Sequence, residues 1–252
     1  GNVDVNEKGG ALNLNSRQLR LDFPEVFDHA LELDTLTAQL SWNNKGGQHE
    51  FRLSSATLAN SHLAGTAFGT YRTSSVGPGR IDLSAQFNRA DARYVSHYMP
   101  LVVGQETRDW LARSLKAGHA SDVQLKLKGD LAKFPFEDGK SGLFQVAVKA
   151  NGGALEYAPG WPAIEGIAVD LLFRGKRMDI FARAGHTYGM QLGKVHVQIP
   201  DLLVMDEMLL VDGEAQGPTQ EMLKFIDQSP VNDMIDGFSQ GLNYSAFGGS
   251  KV

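Results

Sequence analysis

The sequence predicts a mainly β protein with a few short helices, an antiparallel-rich sheet whose apolar face is enclosed either as an extended, strongly curved and twisted open hydrophobic gutter or as a filled sandwich. Three observations carry that expectation. Apolar residues recur at every second position in segment after segment, Gly-rich clusters separate the segments, and helical spacing occurs in only three places.

The period-two series begins with Leu12 and Leu14, then Leu19, Leu21 and Phe23. It continues through Leu36, Ala38, Leu40 and Trp42, through Phe51 and Leu53, and through Ile81, Leu83, Ala85 and Phe87. The turn clusters Asn43-Asn44-Lys45-Gly46-Gly47 and Gly77-Pro78-Gly79 punctuate these runs. The second half repeats the design with Val123, Leu125 and Leu127, then Phe144, Val146 and Val148, with Leu155 and Tyr157 beyond. Ile167, Val169, Leu171 and Phe173, then Met178, Ile180 and Ala182, and finally Val195, Val197 and Ile199 complete it. Asn151-Gly152-Gly153 reads as a hairpin turn joining two strands, because Gly after Asn tolerates the positive φ of tight turns.

Helical signals are few. "DARYVSHYMP" from Asp91 places Tyr94 and Tyr98 four residues apart and stops at Pro100. "ETRDWLARSLKAG" puts Trp110, Leu111, Ser114 and Leu115 on one face, with Gly118 as the expected C-cap. A third helix is expected from Pro218, with Met222, Leu223 and Ile226 on one side; the tail "FGGSKV" reads as frayed.

"GGALNL" from Gly9 echoes "GGALEY" from Gly152, each followed by an aromatic-Pro pair, Phe23-Pro24 and Trp161-Pro162. The expected organisation is therefore a first β repeat over 1–90, a helical insertion over 91–118, a second β repeat over 119–216, and a short helix with C-terminal tail over 217–252, all in one continuous unit. A duplicated pair of ordinary β domains is the alternative.

A sheet with one apolar face must cover it with another sheet, with helices or with a ligand. Three short helices cannot cover a dozen strands, and a Leu or Phe left in water forgoes about 1.5–3 kcal/mol. The sheet must curl until that face is enclosed, as a filled sandwich or barrel or as a gutter completed by apolar ligands. The Leu, Val, Ile and Ala lining and the 28 glycines favour the gutter, and the filled sandwich stays open.

Composition removes several functions. With 24 basic against 29 acidic residues and no basic stripe, nothing here would hold nucleic acid. The absence of cysteine excludes disulfides, thiolate metal sites and cysteine nucleophiles. His29, His49, His62, His97, His119, His186 and His196 are scattered without metal-ligand spacing and read as surface residues. The carboxylate pairs Glu137/Asp138 and Asp206/Glu207 read as solvated charge beside turns, and no nucleophile elbow or phosphate loop occurs. The expectation is no enzyme, no cofactor and no metal. Phe134-Pro135-Phe136 and Trp161-Pro162 read as aromatics plugging strand ends, with a groove mouth as the alternative. No run of 18 apolar residues appears, which makes the chain read as a soluble segment.

The order of "RYVSHYMP", "WLARSLKAG", Phe134-Pro135-Phe136, Gly142-Leu143-Phe144 and Tyr157-Ala158-Pro159-Gly160-Trp161-Pro162 resembles the large AsmA-like family of Gram-negative bacteria, the YhdP type in particular. The resemblance is strongest over residues 90 to 185. It implies a long β-taco with a hydrophobic inside, in a full-length protein anchored in the inner membrane and crossing the periplasm, of which this chain is a middle or C-terminal segment. It further implies phospholipid acyl chains as ligand, carried between inner and outer membranes, with the membranes reached through other parts of the protein and envelope proteins as further partners. The lining expected to bind lipid is Leu12, Leu14, Leu19, Leu21, Leu36, Leu40, Phe51, Leu53, Ile81, Leu83, Phe87, Val123, Leu125, Leu127, Phe144, Val146, Val148, Leu155, Tyr157, Ile167, Val169, Leu171, Phe173, Ile180, Val195 and Val197. The alternative is a non-catalytic β-sandwich scaffold that binds envelope proteins through its edge strands.

Overall fold

The strands follow one another in the sheet in the order they occur in the chain. The computed structural model describes residues 1–204, 208–235 and 249–251. Its strands are β1 (Asn2–Asn6), β2 (Gly9–Leu21), β3 (Leu31–Lys45), β4 (Gln48–Ala59), β5 (Leu63–Arg72) and β6 (Arg80–Asp91). After a helical crossover come β7 (Leu115–Asp130), β8 (Gly142–Leu155), β9 (Ile164–Arg174), β10 (Arg177–Thr187), β11 (Met190–Ile199), β12 (Leu210–Pro218) and β13 (Gly249–Lys251). Every neighbouring pair is antiparallel, and β1 and β13 are not joined, so this is one open meander of thirteen strands.

Local chemistry explains the turns and bends. Gly46 and Gly47 adopt φ 59° and 81° between β3 and β4, the left-handed pair that a tight hairpin requires. Register shifts interrupt the ladders β3–β4, β4–β5, β5–β6, β7–β8, β8–β9, β9–β10 and β11–β12. Such bulges bend a strand and raise its twist.

Several expectations at this level are corrected. Asn151-Gly152-Gly153 is not a hairpin: β8 runs through it, and Gly152 at φ 63° sits where the register against β9 shifts between Ala150 and Gly153. The two Gly-Gly-Ala-Leu stretches occupy different places, one opening β2 and the other closing β8. Leu19 and Leu21 belong to the same strand as Leu12 and Leu14, with the apolar parity switched at Gln18, which takes φ 53°. Phe23 lies beyond the end of β2 and is exposed. Residues 249–251, expected to be frayed, pair with β12.

The helices are short. A 3₁₀ segment (Ala92–Tyr98) starts at Asp91, whose carboxylate accepts from the Arg93 backbone N–H. Helix α1 (Gln105–Ser114) ends at Leu115, where β7 begins; Gly118 lies inside the strand rather than capping the helix. Helix α2 (Thr219–Asp227) follows Pro218, and α3 (Val231–Met234) is a single turn.

There is almost no closed core. The buried apolar residues among those described are Leu33, Leu36, Ala56, Phe136 and Met190. The accessible surface of 16016 Å² exceeds the about 11,000 Å² expected of a compact monomer of 27.4 kDa. A sandwich filled by two interdigitating layers is absent among the described residues.

One tightly packed spot tests the architecture. Gly129 on β7 has φ 141°, and a Cβ there would lie 2.6 Å from the Phe136 ring. Gly129→Ala should therefore destabilise the chain by about 1–3 kcal/mol, read as a lowered urea midpoint with unchanged slope.

Candidate apolar face

Cross-strand register turns the period-two pattern into continuous ladders. One runs Leu14, Ala38, Ala56, Ala67, Ala85, Leu125, Val146, Phe173, Met178 and Ile199, each residue directly opposite the next from β2 to β11. A second runs Ser16, Leu36, Leu58, Gly65, Phe87, Val123, Val148, Leu171, Ile180, Val197 and Val211, from β2 to β12. At about 4.8 Å per strand, ten steps give this ladder a length of about 48 Å.

Shorter ladders flank these two. Toward one set of strand ends, Leu12, Leu40, Leu53, Gly69, Leu83, Leu127 and Phe144 align, and beyond them Trp42, Phe51, Tyr71, Ile81 and Gly129. Toward the other, Ala150, Val169, Ala182 and Val195 align, and Ile167 lies opposite Gly153. Leu19 and Leu21 pair with Leu33 and Leu31 past the parity switch. Leu155 sits at the last pair of β8, opposite Ile164. Tyr157 alone of the predicted lining lies outside the strands, in the β8–β9 loop.

Burial follows the ladders. From β2 to β7 the ladder residues are half-buried or buried, while Thr37, Thr57, Thr66, Gln86 and Gln124 on the opposite face are exposed. The helices contact chiefly the strands they adjoin, and among the described residues no second sheet lies over the apolar face. Ser16 is the one polar side chain in the two long ladders, so the surface offers contact to apolar matter and little hydrogen bonding.

The residues that the sequence reading missed on β4 and β5 have two causes. Strand β5 carries Gly65, Ala67 and Gly69 on the apolar face while Phe68, 59% exposed, points the other way. Small residues inward and a phenylalanine outward invert the expected contrast. Ala56 and Leu58 were hidden by the register shift that follows Leu53 on β4.

Polar clusters cap one set of strand ends. Asn60, 6% exposed, accepts at Oδ1 from the His62 and Leu63 backbone N–H groups, and its Nδ2 donates to the Glu32 carbonyl and the Tyr98 hydroxyl. The Tyr98 hydroxyl, which accepts from Asn60, also shares a hydrogen bond of 2.8 Å with His62 Nδ1, in which the imidazole tautomer sets the donor. His62 also stacks on Tyr94 at 4.0 Å between ring centroids. It is thus half-buried in a network rather than a plain surface residue. Burial and the neighbouring His97 push its pKa below the ordinary value, partly offset by Asp91 and Asp34, and burial raises that of Tyr98. Next to it the crossover grips the β2–β3 loop: buried Arg108 pairs with Asp28 at 2.9 Å and donates to the Leu101 and Val103 carbonyls. Trp161 lies 5.7 Å from Tyr157 and 6.2 Å from Phe225 of α2, and Trp110 Nε1 donates to the Tyr157 carbonyl. These aromatics pack the strand ends.

At the opposite ends, the β7–β8 loop folds onto the apolar face. Phe136 is 4% exposed, and Phe134 lies 5.0 Å from Phe144. Asp138 accepts from the backbone N–H groups of Lys140 and Ser141 and from the Ser141 hydroxyl, which holds its pKa down to about 2. Glu137 pairs with Lys176 at 3.2 Å, so this carboxylate pair shapes a loop; Asp206/Glu207 lies outside the described residues.

The sequence model of the YhdP protein family matches residues 1–250. The chain belongs to the YhdP protein family. It is 24% identical over 245 residues to the intermembrane phospholipid transporter YhdP of Escherichia coli (strain K12), covering 96% of this chain and 19% of that protein. The chain thus spans about a fifth of the length of its YhdP relative. No solved structure matches. No described helix is long and apolar enough to cross a membrane.

His62 has a pH consequence. Its lowered folded pKa means that the unfolded chain binds the extra proton more readily, so the stability it contributes is complete above the unfolded value of about 6.5 and declines as pH falls below it. The urea midpoint should drop between pH 7.5 and 5.0, and His62→Gln should show a smaller drop over the same interval.

Proposed function

We propose that this chain is one stretch of a periplasmic phospholipid conduit between inner and outer membranes, with the apolar face as the floor of a hydrophobic groove. The observation that carries the reading is the pair of long ladders, Leu14 to Ile199 and Ser16 to Val211, which no layer of the described residues covers. The half-buried Leu, Val, Ile and Phe of β2–β11 are energetically unfinished on their own, because each methylene removed from water is worth about 0.8 kcal/mol. Acyl chains supply the missing layer. The phospholipid transport named for the Escherichia coli relative agrees with that chemistry.

The mechanism needs no catalytic group. Acyl chains lie against side chains that offer area without hydrogen-bond direction, so successive positions along the ladders are close in energy and a chain slides rather than locks. Headgroups stay in water beyond the strand ends. The lipid-facing residues are those of the predicted lining that fall in the ladders, joined by Ala38, Ala56, Leu58, Ala67, Tyr71, Ala85, Met178 and Ile199. Periplasmic placement, within a longer protein anchored in the inner membrane, follows from the same reading.

Val148 and Leu171 face each other at the centre of the second ladder. Val148→Asp with Leu171→Asp should remove most of the phospholipid that copurifies with the chain, measured by mass spectrometry after organic extraction, while circular dichroism still reports the sheet. Lipid content equal to the parent chain would defeat the conduit, and absence of lipid from the parent would favour an envelope scaffold.

A further inference from the structure

Two ladders end abruptly at β8. The one that passes through Leu83, Leu127 and Phe144 has no continuation, because β9 ends at Arg174 opposite Gln145, and the Gly175 N–H donates to the Phe144 carbonyl. The ladder outside it stops at Gly129 and Gly142. The two long ladders pass on to β11 and β12. The apolar face therefore narrows from one side at the middle of the sheet.

The β7–β8 loop stands at that step. A Cβ on Gly129 would lie 2.6 Å from the Phe136 ring and one on Gly142 would lie 2.5 Å from it, so the ring lies directly on the glycine pair, on the apolar side. Phe134 meets Phe136 edge-on, with centroids 6.1 Å apart and planes at 79°, and packs against Phe144. Phe136 holds φ 67°, a conformation that a bulky residue keeps only where its surroundings impose it. The Asp138 cap and Lys176, which bridges Glu137 and Asp201, hold the loop from outside.

We propose that Phe134 and Phe136 form an aromatic sill that ends the outer two ladders at β7–β8 and confines acyl chains beyond it to the two long ladders and the short Ala150–Val195 ladder beside them. The inference rests on the conduit reading and adds a positioning role: lipid that reaches the two outer ladders on β3–β6 is steered off them before it reaches β9. The driving force is simple. The rings already occupy the apolar surface of Gly129, Gly142 and Phe144, and a sliding chain gains nothing by displacing them.

A photoreactive phenylalanine analogue placed singly at Leu83, Leu127 or Val148 in this chain reads out the path, with copurified phospholipid as the ligand. The expected result is strong lipid crosslinking at Leu83 and Val148 and several-fold weaker crosslinking at Leu127. Phe134→Ala should raise the Leu127 signal several-fold while total lipid content stays near the parent value and circular dichroism still reports the sheet; Phe134→Leu, which keeps an apolar side chain with less width, should fall between. Equal crosslinking at Leu83 and Leu127 in the parent, or no rise at Leu127 in Phe134→Ala, would overturn the sill while leaving the conduit standing. No crosslinking at any position would remove the conduit itself.

Discussion

The constraint on which the rest depends is cross-strand register. A strand that slips by one residue turns its whole apolar set to the opposite face. Here the pairings from β2 to β11 keep the ladder residues on one side, and the register shift after Leu53 on β4 is matched by a move of the apolar pattern from Phe51 and Leu53 to Ala56 and Leu58. Gln18 moves the apolar parity of β2 from even to odd positions, and β3 moves with it between Leu33 and Leu36. Bulges and side-chain pattern thus carry the same information twice, which makes a sheet with so little closed core definite in structure.

The strand ends perform a different task. Side chains on the apolar face can do little to fix the ends, because they lack direction. Hydrogen bonds and rings do that instead: Asn60, His62 and Tyr98 bind the crossover to the ends of β3–β6, Arg108 ties it to the β2–β3 loop, and the aromatics of the β7–β8 loop anchor the other side. The outer face is stabilised by ordinary polar pairs such as Arg183 with Asp170 and Arg72 with Glu50, each exposed and individually weak.

Strands were legible in the sequence wherever large apolar residues alternate with polar ones, as in Leu36-to-Trp42 or Ile167-to-Phe173. They were not legible where the inward side chains are small, as at Gly65, Ala67 and Gly69, because area and not alternation is what periodicity detects. The Asn151-Gly152-Gly153 turn was misread because a positive-φ glycine serves a bulge as readily as a hairpin, and only the partner strand distinguishes the two. Much of the candidate site was therefore visible as a set of residues, whereas its continuity was not: that Val148 faces Leu171, and Leu171 faces Ile180, depends on loop lengths that local pattern does not encode.

The plain chain-order succession of strands has a mechanical corollary. Each strand bonds only to its predecessor and its successor, so energy is stored in neighbour-to-neighbour terms, as in a solenoid. A hairpin can be gained or lost anywhere along such a ribbon without redesigning distant parts, and damage stays local. Evolution can set the length of a protein of this kind by counting strands.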